Sequence, residues 1–498
     1  MTSKIIYYQD VFLLHFAISD YLEKNFDCKQ FALIDTTDKV RTFFEKQSIV
    51  KFEKEWYLHD HITINPNKID MNFLKEFEEK YSLDLWKLSL NERHFYRFNK
   101  FYKFNDKEIL SIIEQESKLF ESILDEVKPD FFIMFQPSLR PEFLFYELCV
   151  KKNITPLIIN PSLLGYRTYI SKDIGNLEHS EKMKNIISKN RSFNELRKYR
   201  EQFNLNRQIN EYVEDFGDDE NSTINAGFEF LFKSNNSNIN SHYTYFGRTK
   251  NKVLLDAVKS RILKRKIRKS FIDNNLTKKI DGEKFVYFPL QVDPDRNLLL
   301  GTPLFTNQIE TIRQIVKSLP IDYTLYVKEH PGQRREWREI EYYKEILDIP
   351  NVQFLHPSVP SEEIYKKCDL IITTGSSSGF EALFFEKPSI VFGDVIYNKL
   401  PCVTKINDYS SLRSEIKKSI KTKVNSDDLD KFVTFLEETS FNFDLFGYFF
   451  IEAKEFFHDA VLKDVLITEE QMKKFLEKNS DMFKIIGTEL VKNMTNKT

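Results

Sequence analysis

The chain has 498 residues with 73 basic and 75 acidic side chains, a formal charge of -2 that gives no global reason to expect a nucleic-acid or polyanion binder. At 41% hydrophobic and 30% charged, it is expected to form two or three soluble domains of ordinary size. Cys28, Cys149, Cys368 and Cys402 stand far apart without CxxC or CxxH spacing, which argues against a disulfide framework or a zinc site and fits a reducing compartment. The apolar run 11–18 is short, broken by His15 and preceded by Asp10, unlike a secretory signal. No stretch approaches the ~20 apolar residues of a membrane span. A cytoplasmic protein is expected.

Along the N-terminal part, strands are expected over 4–8 and 30–36, with helices over 15–25 and 39–46. Residues 107–127 carry Ile109, Ile112, Ile113, Phe120, Ile123, Leu124 and Val127 at helical spacing, and Pro129 follows as a stop. Strand 131–135, helix 141–152 and strand 156–159 then form a βαβ unit of a parallel sheet. Residues 171–282 are weakly patterned, with an Asn/Ser run over 234–241 that suggests an exposed loop. From residue 283 the alternation returns: strands over 284–290, 323–327, 352–355, 370–374 and 389–392, and helices over 306–318, 361–367 and 380–385. Ser361 suits an N-cap, and the aromatic stretch 441–457 of the tail suits packing back against the body.

The fold class expected is therefore α/β, with two Rossmann-like domains facing a cleft, a helical insertion and a helical tail. The segments are 1–170, a first Rossmann-like domain; 171–282, a helical linker or insertion; 283–425, a second Rossmann-like domain; and 426–498, C-terminal helices.

Open α/β sheets bind ligands at the carboxyl ends of their strands. Three polar groups follow such ends. Gly375, Ser376, Ser377, Ser378 and Gly379 form a turn that opens a helix, suited to phosphate through amides, hydroxyls and the helix dipole. Gly is scarce in this chain, so two glycines within five residues suggest a backbone requirement. Lys328, Glu329, His330 and Pro331 close another strand, with His330 placed to protonate a leaving phosphate. Gln291, Asp293, Asp295 and Arg296 follow the first strand of this domain, and the Arg296 fork suits phosphate or a sugar carboxylate. Glu381, just inside the helix, suits a ribose or sugar hydroxyl.

The run VKEHP, then NVQFLHPSVPSEEIYKKCDLIITTGSSSGFEALFFEKPSIVFG, and the segment FVYFPLQVDPD closely resemble bacterial capsule polysaccharide biosynthesis proteins, the capsular Kdo transferases among them, over about 283–401. The resemblance implies a glycosyltransferase of GT-B type. It also implies that His330, Pro331, Ser376 and Ser377 hold a nucleotide-sugar, CMP-sugar favoured and UDP-sugar possible, for transfer to a glycan or lipid-linked glycan. No cofactor or metal is called for, since no DxD-like pair follows a strand in a way that demands Mg²⁺. The base that deprotonates the acceptor is expected from the first domain, where Asp10, Asp35 and Glu142 are candidates and Glu142 leads. The basic segment 259–269 suits an anionic inner-membrane face. A nucleotide-sugar epimerase of the same fold and a non-catalytic assembly protein are the competing readings.

Overall fold

The computed structural model describes residues 2–175, 183, 185–202, 220–232, 237–259, 265–330, 333 and 338–495. Two compact units emerge. The first comprises Met1–Ile174, Phe203–Lys252 and Thr439–Thr498, the second Gly175–Gln202 and Val253–Glu438. Residues 171–282 contribute stretches to both.

In the first unit, β1 (Ser3–Gln9), β2 (Cys28–Ile34), β3 (Lys54–Tyr57), β4 (Phe131–Phe135) and β5 (Thr155–Pro161) pair in parallel, and β6 (Arg167–Ser171) runs antiparallel to β5. The second unit holds β7 (Phe285–Pro289), β8 (Thr324–Lys328), β9 (Val352–Leu355), β10 (Leu370–Thr373), β11 (Ser389–Val391) and β12 (Val403–Lys405), all parallel. β13 (Phe441–Asn442) returns to the first sheet, antiparallel to β6.

The strand orders are β13-β6-β5-β4-β1-β2-β3 and β12-β11-β10-β7-β8-β9. Each contains the 3-2-1-4-5-6 order of dinucleotide-binding folds, so each sheet has a switch point where its connections diverge: between β1 and β4, and between β7 and β10. The expected fold class, two Rossmann-like sheets with many helices, is the one observed.

Helices cover both faces of the first sheet, which is why its strands read as nearly unbroken apolar runs. Ile5, Tyr7, Ala32, Ile34, Ile133 and Leu157 face one core; Ile6, Tyr8, Leu33, Phe132, Met134 and Ile158 face the other. Tail residues Phe443, Leu445, Tyr448, Phe456, Phe475 and Ile486 complete the first of these cores. The long helix Asp106–Val127 on the other face starts with a capping box, Asn105 and Glu108 each accepting the other's backbone N–H, and ends at Lys128 in the left-handed region with φ 49°. In the second unit Val286, Phe288, Leu325, Val327, Ile372 and Ile390 pack against Ile309, Ile312 and Ile315 of the helix Gln308–Ser318.

Some local expectations change. Pro360, not Ser361, precedes the helix Ser361–Lys367; Ser361 is its first residue, and its hydroxyl accepts from Lys328 Nζ at 3.1 Å. The run 234–241 is described only from residue 237, where a short helix buries Asn238, and the Asn238 amide oxygen accepts from the Asp38 N–H at 2.8 Å. Among the described residues no helix is long and apolar enough to cross a membrane.

Candidate functional site

In the second unit the polar groups anticipated from the sequence follow the carboxyl ends of β7, β8 and β10. These strands are neighbours and parallel, so Gln291, His330 and the Gly375–Gly379 turn lie on one edge of one sheet. By the interstrand spacing of about 4.8 Å, β8 and β10 are separated by about 10 Å, within the span of one nucleotide. Gln291 meets β10 directly, its side-chain amide donating to Thr373 Oγ1 at 3.5 Å across the switch point.

The turn is tightly self-bonded. Thr373 Oγ1 accepts from the Ser376 N–H and donates to the Ser376 hydroxyl, both at 3.1 Å. That hydroxyl accepts from the Ser378 N–H at 3.2 Å, and the Ser376 carbonyl accepts from the Gly379 N–H and from the Tyr397 hydroxyl at 2.5 Å. The Ser376, Ser378 and Gly379 amides, expected to await an anion, thus already have partners within the turn. The helix it starts, Ser378–Leu383, is a turn and a half, so little dipole stands behind it. Only one of the two glycines is required: a Cβ on Gly375 would meet nothing closer than 3.8 Å, whereas one on Gly379 would sit 2.5 Å from the Tyr397 hydroxyl.

Glu381 accepts from Ser377 Oγ at 2.9 Å, from Arg200 at 3.0 Å and from the Tyr365 hydroxyl at 3.3 Å. Lys328 is buried, and desolvation lowers its pKa to about 8 although the Glu381 charge pulls it upward. His330 is exposed as a residue, yet desolvation by surrounding protein lowers its pKa, while Glu329 and Asp295 oppose that shift. Pro331 lies outside the described residues. Glu329 turns inward, bonded to Arg338, the Tyr343 hydroxyl (2.7 Å) and the His330 N–H (2.7 Å). Arg338 also bonds both oxygens of Asp293, at 2.9 and 3.0 Å, and the Gln291 carbonyl at 2.6 Å. Asp293 and Glu329 therefore brace the edge. Arg296 starts a four-residue helix, Arg296–Leu299, and donates to Asn297 at 3.0 Å.

Sequence reasoning did not single out Arg200, Thr373, Arg338, Tyr365 or Tyr397. Arg200 lies in a weakly patterned stretch and Tyr397 beyond the last expected strand. Thr373 carried a signal: a hydroxyl at the end of an apolar run, just before the glycine turn.

The first unit has its own small pocket at the β1–β4 switch point, lined by Tyr8, Asp10, Phe12, His15, Gln136 and Glu142 among others. The His15 Nε2 accepts from the Phe135 N–H at 2.7 Å, which leaves the proton on Nδ1, 3.8 Å from Asp10. Burial lowers His15 to about 4, so the ring is neutral. Glu142 caps the helix Arg140–Lys151, its Oε2 accepting from the N–H groups of Ser138 (2.6 Å) and Leu139 (3.2 Å). Burial nonetheless raises Glu142 to about 7, and burial with the Glu142 charge raises Asp10 well above its ordinary range. Asp35, the third candidate, lies beyond β2 with His59 Nε2 at 2.8 Å and His242 Nε2 at 3.6 Å. Burial would raise it, but hydrogen bonds from both imidazoles prevail and hold the carboxyl far below its usual range.

Both units are thus α/β folds of dinucleotide-binding type with polar residues at their switch points. Residues 198–442 match the model of the family described as capsule polysaccharide biosynthesis protein, the family that the motifs of this segment resemble. No curated protein matches the chain. Among solved structures, the β-Kdo 2,7-transferase KpsC of Thermosulfurimonas dismutans is 14% identical with a TM-score of 0.31, over 63% of this chain and 79% of its own. UDP-GlcNAc 2-epimerase of Methanocaldococcus jannaschii is 13% identical with a TM-score of 0.24, over 87% and 99%. The Neisseria meningitidis UDP-GlcNAc 2-epimerase bound to UDP-GlcNAc is 12% identical with a TM-score of 0.24, over the same shares.

Proposed function

We propose that the chain is a glycosyltransferase of capsule or surface-glycan assembly, and that its second unit holds a nucleotide-sugar at the β7–β10 switch point. The observation that carries this reading is the convergence there of Gln291, Thr373, the serine turn and the buried Lys328, within the segment that matches the capsule family. A cation whose pKa is depressed by burial gains most from an anionic ligand, and Lys328 is still mostly charged at neutral pH. Lys328, His330, Ser376 and Ser377 bind the donor phosphate, Arg296 and Gln291 the rest of the donor, and Glu381 orients the turn. CMP-sugars of acidic character, Kdo among them, are favoured and UDP-sugars are the next choice.

Transfer needs charge stabilised on the departing phosphate and a base for the acceptor hydroxyl. His330, whose pKa partial desolvation lowers, donates a hydrogen bond to the leaving group. Glu142 is the base: its value near 7 lets it accept a proton at physiological pH, and its helix-capping bonds fix its position. The acceptor is a glycan or lipid-linked glycan. Of the basic segment 259–269, residues 260–264 lie outside the described residues. Lys259, Lys266 and Lys269 are exposed and suit an anionic membrane face, whereas Arg268 turns inward to the Tyr343 hydroxyl at 2.8 Å.

The test is nucleotide release from CMP-Kdo and from UDP-sugars, with and without oligosaccharide acceptor. His330→Ala or Ser377→Ala is expected to lower turnover at least roughly tenfold, about 1.4 kcal/mol of transition-state stabilisation. Turnover of a UDP-sugar without acceptor would make the protein an epimerase; full function of His330→Ala in cells would make it a non-catalytic assembly protein.

A further inference from the structure

Beyond the sugar-nucleotide chemistry, the first unit gathers two imidazoles and a carboxylate that nothing above uses. Asp35 follows β2, His59 follows β3 in the short helix Leu58–His61, and His242 arrives from a segment some 200 residues later. One ligating atom from each of the three lies within 4.8 Å of the others. Both Nε2 atoms end on the same oxygen, Asp35 Oδ1, at 2.8 Å from His59 and 3.6 Å from His242. The rings themselves lie nearly face to face, with centroids 3.4 Å apart and planes 31° apart. All three side chains are about nine-tenths buried.

The surroundings supply a second shell to His242 and Asp35, while the buried His59 Nδ1 has no hydrogen-bond partner among the described residues. His242 Nδ1 pairs with Thr244 Oγ1 at 2.6 Å, which fixes the ring with Nε2 toward Asp35. The other Asp35 oxygen accepts from the Tyr8 hydroxyl at 2.8 Å. No bond from the cluster leads to another cation: the carboxylate has only imidazole and phenol partners among the described residues. Ligands around a tetrahedral zinc stand about 3.3 Å apart, given bonds of about 2.0–2.1 Å. The observed 2.8 and 3.6 Å bracket that value, so a small rotation of His59 would admit an ion.

We propose that Asp35, His59 and His242 form a binding site for one divalent first-row cation of the Zn²⁺ type, which fastens the segment 237–246 to the carboxyl edge of the first sheet. Two imidazoles favour such ions over Mg²⁺ or Ca²⁺. The segment is otherwise held by few charged contacts: Asn238 caps the helix Asp38–Lys46, Ser241 donates to Asp38, and Tyr243 donates to Glu116 at 3.0 Å. A metal would add a cross-link between chain positions that the sequence keeps far apart. Because Tyr8 both touches Asp35 and lines the β1–β4 pocket, the ion would also steady that pocket wall.

The test uses full-length, untagged protein dialysed against chelator and then titrated with Co²⁺ and, separately, Zn²⁺. We expect one equivalent of each to bind, Co²⁺ with the visible absorption of a low-coordinate site, and the first thermal transition to rise with Zn²⁺ and fall again with chelator. Thr244→Val should weaken binding about tenfold, and His242→Asn or Asp35→Asn more than that, with folding of each checked by circular dichroism. Wild-type protein that takes up less than a tenth of an equivalent of either metal would overturn the proposal, whether or not the variants fold. So would undiminished uptake by folded His242→Asn.

Discussion

Replacing Gly379 by Ala tests whether this glycine serves the packing of the serine turn. The new Cβ would lie 2.5 Å from the Tyr397 hydroxyl and 3.2 Å from both Tyr397 Cε2 and Thr373 Cγ2. That hydroxyl cannot retreat freely, because it donates to the Ser376 carbonyl at 2.5 Å. Overpacking of this kind costs about 1–3 kcal/mol, and the hydrogen bond at risk about 0.5–1.5 kcal/mol. Against this stands the helix preference for Ala, at most about 1 kcal/mol. A net destabilisation of about 1–3 kcal/mol is expected, together with weaker nucleotide binding as Ser376 shifts. In a Tyr397→Phe background the hydroxyl is gone, and the same substitution should cost less than about 1 kcal/mol. The double-mutant cycle, read by urea unfolding of the four proteins, should give a coupling of roughly 1–2 kcal/mol. Equal cost in both backgrounds, or no cost in the parent, would refute the packing explanation.

Other perturbations reach further from the turn. Arg338→Met strands Asp293 and Glu329, both nearly inaccessible, and should destabilise the second unit by about 3–5 kcal/mol in chemical unfolding, with nucleotide affinity falling alongside. Glu452, whose carboxyl accepts from the Leu13 N–H and the Tyr448 hydroxyl, is raised by burial to about 8. Its protonated form is favoured in the folded state, so wild-type stability declines as pH rises from about 4.5 to 8. Glu452→Gln, which keeps both bonds, should gain on wild type by on the order of 1 kcal/mol per pH unit over that window, measured by melts at matched ionic strength. For Glu142→Gln, the rate should fall and the inflection near pH 7 should vanish from the pH–rate profile; an inflection that persists would remove Glu142 as the base. Gly487→Ala drives a methyl to 2.1 Å from the Tyr21 ring and should destabilise the first unit by a few kcal/mol in the same unfolding assay, about 1–3 kcal/mol by the cost of overpacking.

Much of the frame is legible in the sequence because buried parallel strands announce themselves as apolar runs. FFIMF, FVYFP and LIIT each sit within a residue of their observed bounds. The strands that escaped detection are short or mixed: KEWY of β3 sets two charges before two aromatics, RTYIS of β6 mixes polar and apolar residues, VTK of β12 has three residues, and β13 has two. Their identity comes from pairing with neighbours, which local pattern does not encode. The same limit governs the site. Strand-end residues such as Lys328, His330 and Ser376 follow from position after an apolar run. Their partners do not: Arg338 reaches Glu329 from a stretch without pattern, and Arg200 meets Glu381 across 181 residues. The cluster of Asp35, His59 and His242 was invisible for that reason, since its members share no spacing. Glu142 shows the opposite case, in which a residue chosen for chemistry also has a plain structural task at a helix start.

The most direct measurement is calorimetric titration of CMP, UDP and GDP into wild-type protein, Lys328→Met, Ser376→Val and, as a control in the other unit, Glu452→Gln. One nucleotide, CMP foremost, should bind wild type and the control alike and bind the two second-unit variants at least tenfold more weakly, a loss of about 1.4 kcal/mol. Failure of all three nucleotides to bind below about 1 mM, or binding that both second-unit variants leave untouched, would contradict a donor site at the β7–β10 edge.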